Sequence, residues 1–212
     1  MARGAGEKPY GFVGECNLNT AIGEIINHKH YHTLPSLRTR HCEGVGDCTK
    51  KLEKTLSSGD PSGGSGRSGA LAGVVFAIDL EDPTRGRPLH LMVARAIERC
   101  QEPHGIPCRL PRGSEPLVEG HICSPRGRGP RVAVILYRGG PENVYERLTG
   151  RTINDETRRI LKSRRIFRYV KVCAGGDSRV VCDILVRLAE VTGECLRRLL
   201  GGWGQQRLPA RG

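Results

Sequence analysis

Two groups of acids in this chain have the residue types to hold a divalent cation. Glu15 closes the short apolar run Tyr10-Gly-Phe-Val-Gly-Glu15, while Asp79, Glu81 and Asp82 close the longer run Gly73-Val-Val-Phe-Ala-Ile-Asp79-Leu-Glu81-Asp82. In an open α/β sheet, ligands bind in the crevice beyond the carboxyl ends of the strands, so acids there are placed for metal and phosphate rather than for the core. Magnesium takes oxygen ligands and keeps several waters, and a few converging carboxylates can hold it against a substrate phosphate. Asp79 and Glu81 share a face if the strand persists to residue 81, and a turn there would still bring two of these acids onto one ion. Glu15 would approach from a neighbouring strand as a further ligand or as a proton carrier. A purely structural role competes with this one, in which Asp79 and Glu81 cap a turn and Glu15 supports a helix N-terminus.

The elements that must position these acids are legible in outline. Residues 10–15 read as a strand, and Asn17 then opens a helix to about Asn27 with Ala21, Ile22, Ile25 and Ile26 at helical spacing. A short strand is expected near residues 31–34, and a short helix over 49–56. Residues 71–79 form a continuous apolar run of the kind found in a strand covered on both faces. A helix over 89–101, an edge strand over 106–110 and a strong strand over 131–137 follow. Helices are expected over 142–148, 155–162 and from 178 to about 200, with a strand over 167–173 between the last two. Residues 57–70 are rich in Gly and Ser, residues 111–130 read as a long loop or exposed hairpin, and residues 201–212 as a fraying tail. Strands alternating with helices predict a single α/β domain over 8–200, with a mainly parallel sheet flanked by helices.

With strand-end acids in this order, the chain resembles the Toprim fold, the Rossmann-like α/β unit of primases, topoisomerases and OLD-type nucleases. Residues 10–15 with the helix from Asn17 resemble the family's first motif, a Glu after its first strand. Residues 74–82 with 83–86 resemble its Asp-x-Asp motif. Cys16 stands where the family often carries Gly, and Glu81 replaces the second Asp. The resemblance covers roughly residues 8–140. It implies that Glu15 is the general acid/base, that Asp79, Glu81 and Asp82 hold magnesium, and that the substrate is a nucleic-acid phosphodiester.

Other residues offer other chemistry. His28, His30, His32, His41, Cys42 and Cys48 are of the types that bind zinc, although their spacing matches no standard module. Arg85, Arg87, Arg126, Arg128 and Arg138 fall in loops or strand ends where guanidinium forks could bind phosphate, and the run Lys162-Ser-Arg164-Arg165 could add to them. A non-catalytic, Arg-rich nucleic-acid-binding or regulatory module is therefore an alternative to the enzyme. The turns Gly139-Gly140-Pro141 and Gly175-Gly176-Asp177 could cradle an anion, which keeps a nucleotide-binding protein open; neither is a Walker or dinucleotide fingerprint.

Totals bound these choices. The 212 residues suffice for one generous domain, and 34 Lys and Arg against 22 Asp and Glu leave a formal charge of +12, which favours a polyanionic partner such as nucleic acid. An Arg-rich surface without a partner would give the same total. Only 4% of residues are aromatic, so stacking platforms for unpaired bases are scarce. Neither a signal-peptide pattern nor an apolar run of about eighteen residues is present, which predicts an intracellular, cytoplasmic protein with no membrane partner. The nine Cys are then expected to be mostly reduced core residues, with Cys100 and Cys108 or Cys173 and Cys182 close enough in sequence to pair.

Overall fold

The computed structural model describes residues 8–29, 34–58, 71–80, 89–98, 100, 106–109, 116–123 and 131–205. Six strands form one sheet: β1 (Tyr10–Gly14), β2 (Leu37–His41), β3 (Gly73–Leu80), β4 (Ile106–Arg109), β5 (Val118–Cys123) and β6 (Arg131–Arg138). Their order across the sheet is β2-β1-β3-β6-β5-β4. The four strands β2, β1, β3 and β6 run parallel, while β5 pairs antiparallel with β6 and β4 antiparallel with β5. Helices cover both faces, as expected for an α/β fold with a mainly parallel sheet.

Alternation along each strand divides the interior into two cores. Phe12, Val75, Ala77, Ala133, Ile135 and Tyr137 point to one face, where α1 (Asn17–His28), α4 (Gly140–Thr149), α6 (Phe167–Ala174) and α7 (Val180–Gln205) pack. Val13, Val74, Phe76, Ile78, Val132, Val134 and Leu136 point to the other, beneath α2 (Val45–Ser58) and α3 (Leu89–Glu98). The continuous apolar runs of β3 and β6 follow from this two-sided cover: either polarity pattern would leave one face unburied. On the first face α5 (Asp155–Lys162) and a 3-10 turn (Arg164–Ile166) lead into α6.

Two expectations need correction. Residues 167–173 are helical, not a strand: Ile166, Val170 and Cys173 are buried at spacings of four and three, and tertiary packing on that stripe overrides the β-forming side chains between them. The strand expected near 31–34 lies largely outside the described residues; the second described strand, at Leu37–His41, escapes a search for apolar runs because this edge strand is mostly exposed and carries Arg38, Thr39 and Arg40. Residues 118–123 form a strand inside the sheet rather than an exposed hairpin, with Val118, Gly120, His121 and Cys123 buried. Residues 59–70, 111–115, 124–130 and 206–212, on which the insertion, loop and tail were placed, lie largely outside the described residues; α7 itself continues to Gln205.

Cysteine usage also departs from expectation. Six of the nine are paired, as Cys100–Cys123, Cys108–Cys195 and Cys173–Cys182, while Cys16, Cys42 and Cys48 are thiols. Only the last of these pairings was among the two suggested by spacing. The bond between Cys108 of β4 and Cys195 of α7 spans 87 residues and ties the sheet's edge strand to the longest helix.

Two outcomes test this packing. In the chain-entropy view a loop of that length contributes roughly 3–5 kcal/mol, so the double substitution Cys108→Ser/Cys195→Ser lowers the denaturation midpoint accordingly, and the wild type loses more than that margin under strong reductant, which opens the other two disulfides as well. Gly23, in α1, would place a Cβ 2.5 Å from Cδ1 of the buried Phe12. Alanine is worth about 1 kcal/mol more than glycine in a helix, but overpacking costs about 1–3 kcal/mol, so Gly23→Ala destabilises in a denaturant titration despite its better propensity.

Candidate functional site

Parallel pairing with a shared register creates the site. Tyr10 lies opposite Gly73 and Gly14 opposite Ala77, so the residues just past Gly14 meet the end of β3. From the carboxyl end of β1 the chain leaves through α1 to β2 on one side of this pair, and from that of β3 through α3 to β4 on the other. The two crossovers diverge at the carboxyl ends of β1 and β3, which is the topological switch point where open α/β sheets place their ligands.

Glu15 and Asp79 meet at that point. The Glu15 backbone N–H donates to Ala77 O at 3.0 Å, and in return the Asp79 backbone N–H donates to Glu15 Oε2 at 2.7 Å. Since a side-chain carboxylate lies no more than about 5 Å from its own backbone nitrogen, the two acid groups are neighbours at one rim. Asp79 points to the α1 face. There Asn19 Nδ2 donates to Asp79 Oδ1 at 2.8 Å and also to Ala77 O at 3.2 Å. Asn19 is fully buried, and its Oδ1 has no hydrogen-bond partner among the described residues. The double donation fixes its amide orientation, so this side chain serves to aim Asp79.

A third acid joins them. Gly139 and Gly140, both at positive φ (75° and 84°), turn the chain from β6 into α4, and the Gly139 N–H donates to Leu80 O at 2.7 Å. A Cβ on Gly140 would stand 3.6 Å from Glu142 Oε2 and 3.7 Å from Asp79 Oδ2. Two carboxylate oxygens thus border one small space that only glycine leaves open. Glu142 was absent from the acids first nominated. Applying to β6 the rule used for β1 and β3, that the first acid past the strand faces the crevice, would have found it.

Cys16 reports the resulting field. Its thiol donates to Asp79 Oδ2 at 3.8 Å, and burial, then the negative charge of Asp79, raise its pKa well above the ordinary thiol value; the backbone N–H of Asn19 opposes them, and the charges of Glu142 and Glu15 push weakly the same way as Asp79. It is therefore a neutral thiol at physiological pH. Below the rim Tyr137, paired in register with Asp79, is buried and shares a 2.7 Å hydrogen bond with Thr192 Oγ1. Burial, with the neighbouring Asp79 charge, pushes its phenol above the usual range.

The other nominated residues fare differently. Glu81, Asp82, Arg85, Arg87, Arg126 and Arg128 lie outside the described residues, as do His30 and His32. Arg138 ends β6, but its guanidinium is committed to Glu119 Oε1, at 2.9 Å through Nε and 2.6 Å through Nη2. Glu119 is held below the usual carboxylate range first by His121 and then by Arg138. Among the described residues the suggested zinc set is not assembled: His28 ends α1, beyond Asn27, whose side chain accepts from the Leu37 N–H at the start of β2. His41 stands at the opposite end of β2, 3.5 Å from Thr20 Oγ1. Cys42 and Cys48 do meet, as buried thiols in mutual hydrogen-bond contact that raises the pKa of Cys48. Among the described residues no three His, Cys, Asp or Glu side chains stand as a ready metal cage. No described helix is long and apolar enough to cross a membrane.

The thiol at the rim offers a direct readout of its acids. Removing the Asp79 charge should lower the Cys16 pKa, so Asp79→Asn moves the pH profile of Cys16 alkylation to lower pH and speeds labelling at a fixed pH, followed by mass spectrometry of the Cys16 peptide. An unchanged profile would mean that the Asp79 carboxylate does not face this thiol in solution.

No family model, no curated protein and no solved structure matches this chain. The chemistry of the rim is what remains to indicate its function.

Proposed function

We propose that this chain is a Toprim-like protein that binds magnesium at the β1/β3 rim and acts on, or binds, nucleic-acid phosphodiesters. The observation that carries the proposal is the bond from the Asp79 N–H to Glu15 Oε2, which holds two strand-end acids together at the switch point of the sheet. The donor set suits the ion. All three acids offer hard oxygen, the adjacent Cys16 stays a neutral thiol rather than a soft thiolate ligand, and the space beside Gly140 faces both Asp79 Oδ2 and Glu142 Oε2. Magnesium commonly rests on one or two carboxylates, its waters and the substrate's own phosphates, so a complete protein cage is not required.

Asp79 is the principal ligand in this reading, aimed by Asn19 through Oδ1 so that Oδ2 turns to the Gly140 space. Glu142 lies across that space and would hold the ion's water shell. Glu15 is tethered through Oε2, and its carboxylate would take a proton from an attacking hydroxyl or return one to a leaving oxygen. When bound, magnesium would polarise a phosphoryl oxygen and offset the charge that develops on it. Glu81 and Asp82, which follow Asp79 in the chain, are further candidate ligands in the same reading.

Isothermal titration with magnesium tests this. Asp79→Asn, which keeps a side chain able to accept from Asn19, is expected to abolish measurable binding, and Asn19→Ala to weaken it about tenfold, the usual effect of losing a group that orients a ligand. Wild-type affinity in Asp79→Asn would place the metal elsewhere and remove the basis for the enzyme.

A further inference from the structure

The cations of this basic chain are unevenly placed. Between Glu156 and Asp177 there is no acid. Arg158 in this stretch ion-pairs with Glu146 at 2.9 Å. Arg159, Lys162, Arg164, Arg165, Arg168 and Lys171 are exposed, and none forms an ion pair with a described residue. The opposite side of the same segment is apolar and fully committed: Leu161, Ile166, Val170 and Cys173 are buried. Arg164, Arg168 and Lys171 recur at spacings of four and three, which aligns them along one outward face. The segment also touches the acidic rim. Asn17 Nδ2, two residues beyond Glu15, donates to Lys162 O at 3.0 Å.

We infer that the outer face of residues 159–171 is the surface on which the phosphodiester backbone of duplex nucleic acid docks, entering the protein beside the β1/β3 rim. The inference rests on the nucleic-acid reading of that rim and assigns the surface that would hold the strand there. Six like charges without a counter-charge repel one another, and a chain of phosphates relieves that repulsion while releasing its own condensed counterions. Four of the six are Arg, whose planar forks match phosphate oxygens bidentately. Scarcity of aromatic residues favours reading of the backbone over stacking on unpaired bases. An anionic lipid surface is the weaker fit. A helix lying on a membrane needs an apolar face to insert, and here that face is already in the core; no large apolar side chain of residues 159–171 is exposed, and Val172 just beyond them is.

Fluorescence anisotropy of a labelled duplex DNA, titrated at several salt concentrations in the presence of EDTA, tests the surface apart from the metal site. Arg164→Ala/Arg165→Ala/Arg168→Ala is expected to weaken binding by about tenfold or more and to lower the slope of log affinity against log salt by about two to three. The control Lys50→Ala/Arg95→Ala/Arg147→Ala removes the same charge from exposed positions elsewhere, and should bind like wild type. Thermal melting confirms that the variants fold, and replacing the three Arg by Lys restores most of the salt slope. If the 164/165/168 variant keeps wild-type affinity and slope, or if the control loses as much, the surface assignment is wrong even where magnesium binding depends on Asp79. If the wild type ignores DNA but binds phosphatidylserine vesicles through these three Arg, the nucleic-acid partner is wrong. Loss of DNA binding in the 164/165/168 variant alone upholds the surface, even where the magnesium reading fails.

Discussion

The register between β1 and β3 is the constraint on which the rest of the site depends. Because Gly14 lies opposite Ala77, Glu15 can donate its N–H to Ala77 O and accept the Asp79 N–H on its carboxylate. A slip of one residue would turn Asp79 to the opposite face, away from Asn19 and into the space under α2 and α3. Burial guards against that slip. Val74, Phe76 and Ile78 fill one core while Val75 and Ala77 fill the other, so a strand with both faces covered has sizes to match on each side. The acids are thus placed by packing, and the hydrogen bonds between them lock what packing has placed.

Close approach of α1 to β1 is the second requirement. Gly14 would place a Cβ 2.5 Å from the backbone N of Thr20, and Gly23 one as near to Phe12. Two small residues let the helix lie tightly over the strand it leaves, which brings Asn19 under the rim at a depth where it can reach Asp79. A buried amide with both N–H groups committed is a stiff support, and stiffness is what a ligand-aiming residue must supply. On the outer flank, the disulfides Cys108–Cys195 and Cys173–Cys182 tie β4 and α6 to α7, so the face that carries α1 is braced from both sides.

Charge is segregated on this fold. A chain with a formal charge of +12 gathers Glu15, Asp79 and Glu142 at one crevice, while an acid-free stretch of cations passes it where Lys162 meets Asn17. Arg138, by contrast, looked available from its place at a strand end and is bound to Glu119, which shows how little a cation's position in sequence says about its freedom.

Much of the fold was legible in residue order: the apolar runs of β1, β3 and β6, the stripe of α1, and the two strand-end acids Glu15 and Asp79 all follow from local pattern. Such features depend on neighbours in the chain, and burial on both faces writes itself into composition. The edge strand β2, with its Arg and Thr side chains, left no such trace, because an edge strand owes its existence to a partner's backbone rather than to its own side chains. Residues 167–173 carry the aromatic and β-branched side chains of a strand and are helical because α7 and the Cys173–Cys182 bond offer a stripe of contacts to a helix. Glu142, Asn19 and the pairings of Cys100 and Cys108 lie in the same class. Each depends on which segments become neighbours after folding. Sequence alone determined that acids would stand at strand ends. Only tertiary structure decided which of them share a rim, because register and crossover direction, not local propensity, bring distant strand ends together.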